Sequence, residues 1–303
     1  MTDYVIRPAV LDDVEQWVTI RQAIQPYMCA SVEAQKSWFV AASPKARTRR
    51  IVAVREDGRI LGFATGGLNA TVSEPVGELS LNVHPEFRGQ GVGSALYAEI
   101  EEYVLSMAPL RMRGWSTDEP EALDWVRRRG YEPKSSDRWS RVDPRNLPPV
   151  PPAPEGVELI ALRELGPEAA HAFDTAAFAD EPGDVPYEGM PYEDFLARVW
   201  NSPDMQLDIS LVAMAGGRAV AATFVEANLA AGKAMASGTA TLPEYRGRGL
   251  SKYLKSVSLR KAAEAGVTAA YTGNDYTNAP MLAINDWLGY QVVATQWSCV
   301  KEL

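Results

Sequence analysis

Two cysteines, Cys29 and Cys299, and two histidines, His84 and His171, are all that this sequence holds of the residues that most often crosslink chains or bind metals. A disulfide framework is thereby excluded, and no metal-ligand cluster can be drawn, so the cysteines are expected to be buried or inert and no metal is expected. An excess of positive charge is also missing: 30 Lys and Arg stand against 39 Asp and Glu, a net charge of −9. That balance argues against a general nucleic-acid binder, whose footprint is a basic stripe. KARTRR at 45–50 and RRR at 127–129 then read as solvated faces. No apolar run is long enough to span a bilayer, and Met1-Thr2-Asp3-Tyr4-Val5-Ile6 lacks a cationic start followed by an apolar core. No membrane association and a cytoplasmic location are the expectation, and the sequon Asn69-Ala70-Thr71 carries no consequence there. Nothing in the pattern speaks to oligomeric state.

What is present is an ordinary globular balance, 46% hydrophobic and 23% charged, in 303 residues, more than one typical domain needs. One stretch occurs twice: VHPEFRGQGVG at 83–93 and TLPEYRGRGLS at 241–251. Upstream of the first copy, Gly77-Glu78-Leu79-Ser80-Leu81-Asn82-Val83 alternates like a half-buried strand. Downstream, Leu96, Ile100, Tyr103 and Val104 share one helical face. The stretch is therefore a strand, a glycine-rich loop and a helix start, where unpaired N–H groups and the helix dipole favour an anion. Gly89, Gly91 and Gly93 admit a close backbone approach and Arg88 adds a cation; the pattern describes a phosphate cradle. A P-loop needs Lys followed by Ser or Thr, and a dinucleotide loop needs GxGxxG after the first strand; neither copy has them. A plain tight turn needs neither the Arg nor the repetition.

The elements around the two cradles recur in the same order. In the first half, Val5-Ile6-Arg7-Pro8-Ala9 reads as a strand, a helix beginning at Leu11 carries Trp17, Ile20 and Ile24 inward, and Arg50 to Ala64 is a hairpin with an Asp57-Gly58 turn. After the cradle helix come a strand at 110–115, a helix from Glu121 ended by Gly130-Tyr131, and Trp139-Ser140-Arg141-Val142 as a strand closing the sheet. In the second half a strand begins at Val157 and a helix carries His171, read as a surface or packing residue rather than a base. A hairpin spans 209–224, the cradle strand runs from Lys233, Val267 to Tyr271 is a strand, and a helix runs from Asn278 to Leu288. The separation of the cradles nearly equals that of the closing glycines Gly130 and Gly289, as a duplicated domain requires and as no short-period solenoid would give. Six prolines between Asp143 and Pro154 describe a semi-rigid connector. The expected domains are 1–142 and 156–303, joined by a linker at 143–155.

Arg-x-x-Gly-x-Gly/Ala after a strand ending Val-x-Pro resembles the acetyl-CoA motif of the GNAT N-acetyltransferases, and the tandem plan is similar to that of mycothiol synthase-type members. The resemblance covers nearly the whole chain outside the Pro-rich stretch. It implies an α+β, α/β/α-layered fold: two tandem GNAT acyl-CoA N-acyltransferase domains with mixed, mostly antiparallel sheets, the CoA arm entering where the cradle strand splays from its neighbour. It further implies acetyl-CoA as co-substrate, bound through Arg88, Gly89, Gln90, Gly91, Val92 and Gly93 in one half and Arg246, Gly247, Arg248, Gly249, Leu250 and Ser251 in the other. Backbone near Val83 and Thr241 would pair with the pantetheine, and Asn278, whose counterpart is Glu119, would contact the CoA arm. Arg248, Lys252 and Lys255 would add cations for the phosphates.

Many members carry a Tyr four residues before the closing Gly as general acid; here those positions hold Val126 and Asn285, leaving Tyr276 and Tyr271 as substitutes. A base is required because an amine of pKa about 10.4 is nearly all ammonium at pH 7. Glu78 stands where the resemblance places that carboxylate in the first half; the aligned residue in the second is Ala236, leaving Glu226 on the preceding strand. The acidic stretch 180–188 lies where acceptor loops lie, and would suit a cationic amine. The expected activity is N-acetyl transfer from acetyl-CoA to a primary amine of a small molecule or peptide, by direct attack in a ternary complex with the second half catalytic; the alternative is a non-catalytic acyl-CoA sensor or scaffold.

Overall fold

The computed structural model describes residues 3–41, 43–182 and 187–303. In chain order the elements are β1 (Tyr4–Pro8), α1 (Val14–Ile24), α2 (Val32–Val40), β2 (Arg49–Arg55), β3 (Ile60–Leu68), β4 (Val76–Val83), α3 (Val92–Leu105), β5 (Arg111–Thr117), α4 (Pro120–Arg127) and β6 (Glu132–Val142). They are followed by β7 (Glu158–Ala161), α5 (Leu162–Leu165), α6 (Pro167–Ala177), α7 (Tyr192–Phe195), β8 (Leu211–Ala215), β9 (Arg218–Asn228), β10 (Lys233–Thr241), α8 (Leu250–Glu264), β11 (Ala269–Asp275), α9 (Ala279–Leu288) and β12 (Gln291–Glu302).

The chain forms two compact units, Met1–Ser135 with Gln296–Leu303, and Ser136–Thr295. In unit 1 the strand order is β1-β2-β3-β4-β5-β12. Pairing is antiparallel except between β4 and β5, which run parallel from Val76↔Arg111 to Leu79↔Gly114 and then part. Unit 2 has the order β6-β11-β10-β9-β8-β7. Its one parallel pair, β10 with β11, holds only from Lys233↔Ala269 to Met235↔Tyr271. Both sheets are thus mixed and mostly antiparallel, and each opens beside its cradle strand.

The division expected at residues 142 and 156 is replaced by this one, and the expectation that Trp139 to Val142 closes the first sheet is corrected. Residues 137–142 pair with β11 in unit 2, and residues 296–302 pair with β5 in unit 1. The local fit explains the exchange. Gly273 of β11 leaves room for the Trp139 ring, which a Cβ there would meet at 3.1 Å, while Cys299 of β12 fills a cluster with Tyr97, Val104 and Met112. The Pro-rich stretch 143–155 lies inside unit 2; Arg260 of α8 donates to the Pro148 carbonyl and Leu147 packs on the core.

Each sheet is covered on both faces. In unit 1, α1 brings Trp17 and Ile20 onto Val52, Val54 and Phe63, and α3 brings Val92, Leu96 and Ile100 onto Ile51, Ala53 and Ala64 on the other side. In unit 2, α6 and α7 pack Phe173 and Phe195 on Ala222 and Phe224, and α8 packs Leu250 and Leu254 on Ala213 and Ala221. Phe63 is 1% exposed and stacks on Trp17 at 4.5 Å. Phe63→Ala is expected to cost about 3–5 kcal/mol in chemical denaturation, from lost transfer energy and a residual cavity. Both cysteines are buried and neither forms a disulfide. Among the described residues no helix is long and apolar enough to cross a membrane.

Candidate functional site

Both cradles have the same build. Each sheet strand ends in a short turn over Pro-Glu-aromatic, at Pro85–Phe87 and Pro243–Tyr245. Two left-handed glycines follow in each, Gly89 and Gly91 at φ 74 and 84°, Gly247 and Gly249 at φ 75 and 79°. An L side chain would be strained at such angles. A Cβ at any of the four would meet no protein atom within 4 Å, so the backbone is open on its outer side. Gly91 and Gly249 are the helix N-caps and supply no side-chain cap. The next residues, Val92 and Leu250, bury their side chains, so the first-turn N–H groups of α3 and α8 have no intrahelical acceptor. An anion such as the pyrophosphate of a CoA fits this arrangement. Gln90 and Arg248 occupy one role, each donating to a carbonyl four residues back, Glu86 and Glu244. A Cβ at Gly93 would meet Val83 in ordinary contact; at the matching position Ser251 bonds the Thr241 hydroxyl at 2.8 Å.

The cradle arginines differ in what holds them. Arg88 reaches Glu119 at 3.0 Å, which stands at the N-cap position of α4 without a side-chain cap bond. Arg246 makes a bidentate pair with Asp180, at 2.6 and 2.7 Å, and donates from Nε to the Thr241 carbonyl. Asp180 lies in the acidic stretch 180–188, of which 183–186 fall outside the described residues. Of the other expected phosphate cations, one is held over a ring and one is buried. Lys252 stacks over Trp287 at 3.6 Å, and Lys255 is 2% exposed, inside the unit.

The two carboxylates considered as bases stand in unlike surroundings. Glu78 on β4 accepts from Asn69 at 2.9 Å and lies 3.6 Å from Arg113. Glu226 on β9 has no ion pair among the described residues. Dehydration, and then the charge of Asp204, raise its carboxyl to about 7. It sits opposite Met235, itself the partner of Tyr271 in the last β10–β11 pair. Strand alternation places Glu226 on the same face as Phe224, the α6 side. Acidic groups gather on that side. Tyr187 donates to Asp174 at 2.5 Å, and burial raises the Asp174 carboxyl. Glu181 is also raised, first by desolvation despite its open edge and then by Asp137, Asp174 and Asp275. His171 contacts the Met190 carbonyl at 2.6 Å, a packing role.

The opposite face carries a group that the sequence reading placed wrongly. Lys255 donates to Asn285 Oδ1 at 2.8 Å, and Asn285 Nδ2 donates to Asn274 Oδ1 at 2.7 Å. Asn285 is the residue at the position where many GNAT members have the acid Tyr. Lys255 lines a narrow cavity with Thr223, Val225, Ala236, Ala270 and Tyr290, and burial lowers its amine to about 7. A lysine beside Leu254 and Leu259 on the inward face of α8 is the signal that could have found it. Tyr276 is 49% exposed on the turn after β11, whereas Tyr271 is buried. Asn278 caps α9, accepting from Met281 N–H, which leaves its amide nitrogen as a donor. No group of three or more His, Cys, Asp or Glu among the described residues is placed to hold a metal ion.

Comparison with known proteins gives a consistent answer. The family model described as Acetyltransferase (GNAT) family matches residues 14–131. A mycothiol acetyltransferase of a Nocardioides species is 30% identical over 227 residues, covering 70% of this chain and 76% of that one. Another, from Streptomyces bingchenggensis, is 29% identical over 246 residues, covering 78% and 76%. Among solved structures, a GCN5-related N-acetyltransferase from Sphaerobacter thermophilus superposes with TM-score 0.75 at 21% identity, over 100% of this chain and 96% of that one. A tandem GNAT protein from the clavulanic acid biosynthesis pathway superposes with TM-score 0.72 at 17% identity, over 99% and 98%.

Proposed function

Since the chain belongs to the GNAT acetyltransferase family, we propose that it is a cytoplasmic enzyme moving acetyl from acetyl-CoA to the primary amine of a small molecule or peptide, with unit 2 as the catalytic half. The observation that carries the assignment is the contrast between carboxylates. Glu226 has no ion pair among the described residues and is poised near 7, whereas Glu78 is already engaged by Arg113 and Asn69. A base must be free to take a proton and must have a pKa near the working pH.

The CoA pyrophosphate binds the first-turn N–H groups of α8 and the pantetheine enters where β10 and β11 part. The ammonium of the acceptor arrives from the α6 side, where Asp174 and Glu181 favour a cation, and gives its proton to Glu226, directly or through one water. The amine then attacks the thioester carbonyl; the C–N bond forms, the C–S bond breaks and the thiolate leaves, and the second proton, shed by the nitrogen as it becomes an amide, passes through water to the thiolate. Stabilising that thiolate falls to the opposite face. Lys255, Asn285 and Asn274 align their donors in one direction, and the ammonium polarises the chain towards the free N–H of Asn274. Lys255 is a positioning residue, acting through the two amides. Asn278 and Tyr276 flank the same opening, Asn278 as a donor to the CoA arm and Tyr276 at its exposed rim.

The test is turnover of acetyl-CoA against a panel of amines, including the acceptor of the mycothiol acetyltransferases, spermidine and a peptide N-terminus. Binding of acetyl-CoA without turnover of any amine by thiol release would favour the sensor reading. Acetyl-CoA must also displace Asp180 from Arg246. Arg246→Ala is therefore expected to weaken acetyl-CoA about 10-fold or more in calorimetric titration, by loss of a charge-assisted contact. Asp180→Asn tightens it by up to about fivefold, the worth of an exposed ion pair. Arg88→Ala should leave kcat/KM within about twofold, and a collapse of turnover in that variant would move the active site to unit 1.

A further inference from the structure

Helix α1 of unit 1 and helix α6 of unit 2 correspond in length and in part of their buried phase. Both have eleven residues, and the fourth and seventh are buried in each: Trp17 and Ile20 in α1, Ala170 and Phe173 in α6. The eighth residue is Arg21 in one and Asp174 in the other. The same helical position, facing the same way off its sheet, has opposite charge in the two units.

Arg21 has no carboxylate partner among the described residues. Its Nε is shut off from solvent and has no hydrogen-bond partner, and so are Trp17 Nε1 one turn away and Gln35 Nε2 on α2. Trp17 lies flat on Phe63, over which the Arg21 guanidinium also sits, at 6.0 Å from the ring centre. Burial lowers the basicity of Arg21, offset only by the Tyr27 phenol. An unmatched buried N–H is destabilising, and more so on a charged group. All three unmatched atoms are donors; the ligand that satisfies them must be an acceptor. Arg50 stacks on Phe39, which leans against Trp17, so the nearby charge is also positive. The unmatched atom of Arg21 is Nε, and the Nε–Nη edge of a guanidinium presents two parallel donors that fit a planar carboxylate.

We propose that the α1–α2 face of unit 1 is a binding site for a carboxylate-bearing small molecule, held by the Nε edge of Arg21 and by the indole N–H of Trp17. The site is separate from the cradle at Arg88 and does not depend on which unit performs the transfer. Duplication would then have left one helix face for a cationic acceptor and its counterpart for an anion.

Saturation-transfer NMR with succinate as the probe, beside 31P line broadening of inorganic phosphate, tests this on the full chain. Wild type and an Arg88→Ala/Arg246→Ala variant, in which the cradles are weakened, are expected to bind succinate alike and in preference to phosphate. Arg21→Met should weaken succinate about tenfold or more, and Trp17→Phe, which keeps the stacked ring but removes the donor, about threefold. Should Arg21→Met fail to fold, the Trp17→Phe result decides. Succinate binding that survives Arg21→Met and Trp17→Phe, follows the cradle arginines, or is absent from the wild type overturns the proposal, as does a preference for phosphate.

Discussion

Glu226→Gln is expected to lower kcat by about 10²–10⁴-fold, the usual weight of a general base, with acetyl-CoA affinity unchanged within about twofold. The amide keeps the shape of the side chain and its place opposite Met235, so the loss reports proton transfer rather than packing. The pH profile gives the sharper reading. Glu226 titrates near 7 and works only when ionised, so activity should rise through that pH in the wild type. In Glu226→Gln the break near 7 disappears, and the residual rate goes on rising with the free-amine fraction of the acceptor. Glu78→Gln should change kcat by less than about threefold. If Glu78→Gln abolishes turnover and Glu226→Gln does not, the catalytic half is unit 1.

Lys255→Met is the second large effect, a fall in kcat of about 10- to 100-fold with little change in KM. The methionine fills nearly the same volume but ends the donor chain, leaving Asn285 Oδ1 unmatched and Asn274 unpolarised. Removing a donor that touches a developing charge costs about 10²–10³-fold, and a group acting through two amides should cost less. Burial lowers Lys255 to about 7, and the neighbours facing it, Tyr290, Asn285 and Met281, bring no carboxylate to raise it. Its charged form is therefore lost as pH rises through 7, which gives the profile a falling limb. With both groups near 7, only about a quarter of the molecules carry ionised Glu226 and charged Lys255 at that pH, so the bell is narrow and low. Lys255→Met flattens the falling limb. An unchanged limb, with kcat and KM altered together, would mean that Lys255 serves only the packing of α8.

The cradles were legible in the sequence because their cause is local. The residues that force them, Pro, Arg and paired glycines, lie within a few positions, and the left-handed φ of Gly89, Gly91, Gly247 and Gly249 is a demand that few other residues meet. The hairpins, the inward faces of α1 and α8 and the duplication were legible for the same reason, since period and order survive in a single chain. Opposite charges at Arg21 and Asp174 are likewise written in the sequence, though only the buried phase of α1 and α6 reveals that they correspond.

Tertiary structure decided what depends on partners distant in sequence. A strand does not encode which edge it will join, so only the fold shows that 137–142 completes unit 2 and 296–302 completes unit 1; the room over Gly273 and the slot for Cys299 make that choice. The chemistry of ionisable groups was decided the same way. Glu78 and Glu226 are one residue type, and their difference is an arginine at 3.6 Å from one and dehydration around the other. Lys255 reads in the sequence as one more cation near a phosphate site; burial under the sheet turns it into the head of a donor chain, because solvation belongs to the folded surroundings and not to the residue.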